Sequence, residues 1–406
     1  MEGSKSSFLS STAFPELMPQ EETLEVARKK SSLFIGIPKE TSIQENRVTL
    51  VPESVRVLVN NGHKVVVQRG AGKASNFDDN QYSEAGGEIV DGPQEVYKAD
   101  IIMKVEPLVP EEIKLLQRKQ TVISALQISI HPKDYIKKLI TKKVSGIAFD
   151  TIQDQHEKFP IIQSMGEIAG NTSILIAAEL LSNANQGKGL MLGGIAGVPA
   201  TEVVILGAGN VGEFAARAAL GLGATVKVFD NSLYKLRRLQ NDLGTRVFTC
   251  VMQPEVLATK LKTADVVIGA IRAPGKATPC VVTENMVQDM KDGSVIVDVS
   301  IDQGGCFETS KVTDHNKPTY TAHGVIHYCV PNISSRVART ASYALSNIFA
   351  PILLEIGEKG GIDVMLRENK GLRNGVYLYN GILTSKMLGD SLNLPYKDIN
   401  LLMAAF

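Results

Sequence analysis

Residues 203–230 read VVILGAGNVGEFAARAALGLGATVKVFD. A run of aliphatic residues enters a glycine-punctuated turn, an alanine-rich segment follows, and a second aliphatic run ends on an acid. This order prescribes strand, tight turn, helix, strand. Gly207 suits the sharp turn, Gly209 keeps the backbone bare for a pyrophosphate, and Gly212 lets helix and strand approach. Asn210 and Val211 open the helix, whose first N–H groups face an anion. Asp230, 21 residues beyond Gly209, stands where a carboxylate binds the adenosine ribose hydroxyls and repels a 2′-phosphate. The stretch predicts a dinucleotide fold and NAD as its cofactor.

The rest of the chain repeats the alternation. LFIGIP, HKVVVQ, DIIMKV, TVISALQ and SGIAFD read as strands between residues 33 and 150, with helices expected at 53–61, 81–86, 109–118 and 132–142. Beyond Thr201 the strands are EVVILG, ATVKVFD, ADVVIGA (which ends on Ala270 beside the cofactor) and SVIVDVS. Strand–helix alternation implies parallel sheets with crossover helices. A long helix is expected near 167–184, a loop or hairpin at 186–199, and a second long helix at 336–357, kinked by Pro351. Helical pieces are expected around 363–370 and 383–390. The fold class is therefore α/β with two Rossmann-like domains, the NAD-binding domain (166–335) inserted into a discontinuous substrate domain (31–165 and 336–406). Residues 1–30 are expected to be a flexible extension.

Composition excludes several classes. Lys+Arg and Asp+Glu both number 43, so bulk electrostatics offers nothing to nucleic acid or an anionic membrane. No apolar run is long enough to predict membrane insertion. The four cysteines are widely spaced and no leader pattern opens the chain, so reduced thiols and a cytoplasmic location are expected. His323 and His327, read as i, i+4 on one strand face, lack a third ligand; they are read as structural, and no metal is expected.

Ligands of open parallel sheets sit beyond the carboxyl ends of strands. Asp302 follows one such strand in SVIVDVSIDQGGCFE, where it either handles protons or caps a turn. Asn332 ends TAHGVIHYCVPN. Arg47 is either a clamp for a substrate carboxylate or half of a surface ion pair. Lys104 either points into the cleft or snorkels. Gln127 interrupts the apolar VISALQISIH, where a buried amide needs partners.

Together GIPKE…ENRVTLVP, GHKVVVQRGAG, MLGGIAGVPATEVVILGAGNVG, VIVDVSIDQGGCFETS and HGVIHYCVPN resemble the alanine dehydrogenase family, which includes the NAD(H)-binding component of proton-translocating transhydrogenase. The resemblance spans about residues 33–395. It implies a Rossmann domain set between the two parts of a substrate domain, and oxidation of L-alanine by NAD to pyruvate and ammonia. It also implies Arg47 on the substrate carboxylate, Asp302 and Asn332 in the active site, a small amino or 2-oxo acid as partner, and a homo-oligomer, hexamer or dimer. Two departures stand out. K-V-E-P is one residue shorter than the family's lysine-bearing strand end, and Gln127 replaces a histidine that acts as acid/base. An amide cannot carry a proton near neutral pH. The alternatives are a transhydrogenase component, a family member acting on another amino acid, or a protein that binds NAD without catalysis.

Overall fold

The computed structural model describes residues 30–42, 45–126, 133–185, 187–273 and 277–404. The expectations for Gln127 and for the N-terminal extension up to residue 29 lie outside the described residues.

Among the described residues, fifteen strands form two sheets. The first contains β1 (Phe34–Ile37), β2 (Lys64–Gln68), β3 (Glu88–Val90), β4 (Ile101–Met103), β5 (Thr121–Ser124) and β6 (Ser145–Ala148), all parallel in the order 3-2-1-4-5-6. Two later strands extend it beyond β6: β14 (Val376–Tyr379) runs antiparallel to β6, and β15 (Ile382–Leu383) antiparallel to β14. The second sheet holds β7 (Glu202–Leu206), β8 (Thr225–Phe229), β9 (Phe248–Cys250), β10 (Val266–Gly269), β11 (Val295–Asp298), β12 (Thr319–Ala322) and β13 (Val325–Tyr328), ordered 9-8-7-10-11-13-12. Only β12 runs antiparallel. Each sheet reverses its winding between its first and fourth strands, β1/β4 and β7/β10, the place where such sheets open a crevice.

The strands are continuous apolar runs because both faces are covered. Along β2, Val65 and Val67 enter one core and Val66 the other. Along β7, Val203 and Ile205 face one core and Val204 and Leu206 the opposite one. The helix Pro160–Leu181 joins the two sheets: Ile161 packs into the first core, while Ala169, Ile174 and Ala177 pack into the second. Proline at its first turn fits because the missing N–H is unneeded there. Its close approach to the helix Asn210–Gly221 depends on Gly170, where a Cβ would lie 2.4 Å from the Val211 carbonyl oxygen. The return helix Ala338–Glu358 runs on through Pro351 as one element and lays Leu345, Phe349, Leu353 and Ile356 on the first core.

Two expectations need correction. Residues 376–383 form a hairpin, and the helix expected from 383 begins only at Lys386. The turn is Asn380-Gly381 with φ +48 and +81, the pairing that two-residue hairpins favour. His323 and His327 do not share a strand face: His323 sits in the β12–β13 turn at φ +51. His327 is buried against the Thr309 hydroxyl at 2.9 Å, while His323 contacts Glu284 at 2.7 Å near the surface. Among the described residues no helix is long and apolar enough to cross a membrane.

Candidate active site

The glycine turn follows β7. Gly207 takes φ +113, and a Cβ there would meet the Ala270 carbonyl oxygen at 2.4 Å, so the turn is pinned between β7 and β10. A Cβ on Gly212 would meet the Gly207 oxygen at 1.9 Å. Gly209 differs: nothing lies within 4 Å of the place its Cβ would take. It precedes the helix Asn210–Gly221 and offers no side-chain cap, so the first helical N–H groups face this open space. That is the cradle a pyrophosphate needs. At the end of β8, Asp230 accepts the Ala208 N–H at 2.8 Å and the Ser232 N–H at 2.7 Å. Its carboxylate is thereby aimed with lone pairs to spare. Lys235 Nζ stands 4.0 Å from it. The residues present fit a dinucleotide with free ribose hydroxyls.

The loop after β1 supplies Glu40, Glu45 and Arg47. Arg47 grips Glu45 through two parallel bonds, Nε to Oε1 at 2.7 Å and Nη2 to Oε2 at 2.5 Å. Its Nη1 reaches Ser334 Oγ at 3.2 Å and Met165 Sδ at 3.4 Å. Glu45 Oε2 also accepts Asn332 Nδ2 at 2.8 Å. Asn332, left-handed at φ +57, donates its backbone N–H to Asp302 Oδ1 at 2.8 Å. Arg47, Glu45, Asn332 and Asp302 thus form one chain of bonds from the first sheet to the second. Burial pushes the Glu45 carboxyl up, but the Arg47 charge and bonds outweigh it and hold the group below the ordinary carboxylate range. Asp302 presents accessible surface to the cleft yet is densely surrounded by protein. That crowding keeps its carboxyl above the ordinary range, against the Asn332 N–H and the charges of Arg47 and Arg272.

Lys104 departs from a cleft-facing role. It is 1% exposed and lies between Glu40 at 2.9 Å and Glu112 at 3.1 Å. Two buried carboxylates demand a cation, and Lys104 satisfies them. Its ion pairs tie the loop after β1 to the helix that carries Glu112.

The sequence reading passed over two carboxylates at the strand ends, Glu45 and Glu106. Glu106 sits two residues beyond Lys104 and is half-buried. It lines a cavity of about 320 Å³ with Pro107, Leu108, Tyr135 and Lys138. A second cavity, about 190 Å³, is lined by Glu45, Arg47, Lys39 and Lys73. A hydrogen bond between the Glu45 and Glu106 side chains joins the two walls. Glu45, two residues before the singled-out Arg47, was the signal available; an acid at that distance invites a pair. Among the described residues no group of three or more metal-ligating side chains occurs.

Residues 36–169 match the family model "Alanine dehydrogenase/PNT, N-terminal domain", and residues 173–386 match "Alanine dehydrogenase/PNT, C-terminal domain". The chain belongs to the alanine dehydrogenase/PNT family. An alanine dehydrogenase of Staphylococcus saprophyticus is 41% identical over 368 residues, covering 90% of this chain and 99% of that protein. One of Staphylococcus epidermidis is 40% identical over 366 residues, covering 90% and 98%. A solved L-alanine dehydrogenase superposes with a TM-score of 0.82 at 35% identity, covering 88% of this chain and 99% of its own. A transhydrogenase from Sinorhizobium meliloti shares the fold, with a TM-score of 0.74 at 23% identity over 87% of this chain and 99% of that one.

Proposed function

We propose that the protein is an NAD-dependent amino-acid dehydrogenase that oxidises L-alanine and water to pyruvate and ammonia. The observation that carries this reading is the bonded chain Arg47–Glu45–Asn332–Asp302, which sets a guanidinium and a carboxyl from different sheets against one cleft. NAD, when bound, accepts the hydride from the substrate Cα. Gly207, Gly209, Asn210, Val211 and Gly212 would hold its pyrophosphate, Asp230 its ribose, and Ala270 and Asp302 would flank it.

The substrate zwitterion is oriented by Arg47. Glu45 occupies the Nε edge of the guanidinium, which leaves its end-on N–H groups, near Ser334, for a substrate carboxylate. Asp302 is positioned by the Asn332 N–H to draw a proton from the water that attacks the iminium carbon. Asn332 keeps Glu45 and Asp302 in register. The name alanine dehydrogenase, carried by both Staphylococcus relatives, supports alanine as the substrate. We further place the enzyme in the cytoplasm as a homo-oligomer; exposed Leu175, Met191, Ile195 and Val198 supply apolar surface for self-association.

The test is an initial-rate assay at 340 nm with L-alanine and NAD, run beside pyruvate, ammonium and NADH. Turnover in both directions is expected. NADH binding with no turnover of any amino acid would contradict the reading.

A further inference from the structure

Oxidative deamination starts from an ammonium that must lose a proton before hydride leaves Cα. Gln127 cannot take that proton. Lys104 is sealed between two carboxylates, and Glu45 is neutralised by Arg47. The cleft therefore needs another acceptor, close to the end of Arg47 that receives the substrate carboxylate, because amino and carboxylate groups share one carbon.

We propose that Glu106, hydrogen-bonded to Glu45 beside Arg47, is the group that accepts the proton of the substrate ammonium. This rests on the dehydrogenase reading given above. Three placements argue for it. First, β4 and β5 are parallel neighbours, and the ladder runs past their ends: Lys104 N–H bonds Ile123 at 3.0 Å and Ala125 N–H bonds Val105 at 3.0 Å. Glu106 thus leaves β4 beside the end of β5. Second, Glu106 lines an open cavity, so water can reach it and exchange its proton. Third, two carboxyl groups in hydrogen bond share a proton. Arg47 and Asn332 fix the charge on Glu45, so a proton arriving at the pair is held by Glu106, whose charged form is the acceptor.

The charges around Glu106 agree. Glu40, Glu45 and Arg47 face it from the loop after β1, and Lys104 lies on its own strand, committed to Glu40 and Glu112. Asp134, Tyr135 and Lys138 border its cavity from the helix Lys133–Lys142. Burial, then Glu45, push the Glu106 carboxyl up to about 7, with Arg47 opposing and Glu40 adding. A group half-charged at neutral pH both takes and returns protons efficiently. In the step, the Glu106 carboxylate removes one N–H proton of the ammonium. The freed amine lone pair forms the C=N bond as hydride passes from Cα to NAD. Water adds to the iminium carbon, Asp302 taking its proton, and collapse of the adduct releases ammonia and leaves pyruvate.

The test compares wild type with Glu106→Gln and Glu106→Ala. For wild type, kcat/KM for L-alanine should fall below an apparent pKa near 7. Glu106→Gln should lose that limb and lower kcat by about 10²–10³-fold, with NADH affinity within about 3-fold of wild type. If the amide variant fails to fold, Glu106→Ala supplies the reading, and added acetate should restore its rate by about 10-fold or more. A Glu106→Gln enzyme with the wild-type limb and near-wild-type kcat would overturn the role of Glu106 while leaving the dehydrogenase reading in place. Wild type that binds NADH but oxidises no amino acid would remove both.

Discussion

Asp230, Lys104 and Glu106 carry charge for three different ends, and each can be separated experimentally. Asp230 has its carboxylate fixed by two backbone N–H groups and keeps lone pairs that would bind the ribose in the proposed complex. Charged hydrogen bonds are worth about 1.5–3 kcal/mol, so Asp230→Ala should weaken NADH binding by about 10- to 100-fold in a fluorescence titration. Lys104→Met, by contrast, strands Glu40 and Glu112 in the interior. Removing one partner of a buried pair costs about 3–5 kcal/mol, so denaturant unfolding should show a large stability loss. A Lys104→Met protein of normal stability but raised KM for alanine would instead place this lysine on the substrate. Glu106 adds a pH dependence to stability. Its carboxyl is raised from 4.5 to about 7 in the folded protein. The folded state then holds a proton the unfolded chain has lost, so its contribution is full below pH 4.5 and disappears as pH rises through about 7. Thermal scans of Glu106→Gln should therefore decline less between pH 5 and 7 than those of wild type.

At the scale of elements, the connecting helix Pro160–Leu181 and the dinucleotide helix Asn210–Gly221 act as a unit because Gly170 lets their backbones meet. Gly170→Ala forces a methyl to 2.4 Å from the Val211 carbonyl oxygen. Overpacking of this kind costs about 1–3 kcal/mol. Since Val211 lies in the pyrophosphate turn, the variant should lose both thermal stability and NADH affinity; loss of stability with affinity intact would uncouple the two helices. These elements were legible in the sequence because a parallel strand covered on both faces is an unbroken apolar run, as in VVIL or VVIG. The hairpin Val376–Leu383 was not legible, although Asn380-Gly381 marks its turn. Its strands are four and two residues long, and their partner β6 lies some 230 residues earlier. Arg47, Asp302 and Asn332 could be picked out from their strand ends and motif. The value of Glu45 and Glu106 could not, since it arises from a contact between residues 61 apart in sequence.

For the whole molecule, the proposed function draws on two crevices, one in each sheet. The β7/β10 crevice presents an open glycine turn, and the β1/β4 crevice presents Arg47, Glu45 and Glu106. A single bonded chain ties them, with Asn332 at its centre holding Glu45 on one side and Asp302 on the other. Asn332→Ala should break this tie, lowering kcat for alanine more than it raises the NADH dissociation constant. Equal effects on both would assign Asn332 to the cofactor alone. The most direct test of the account follows hydrogen itself. Protein incubated with pyruvate, ammonium and NADH deuterated at the transferable C4 position should yield L-alanine carrying deuterium at Cα, read by mass spectrometry. NADH that binds, while no deuterated alanine forms, would contradict it.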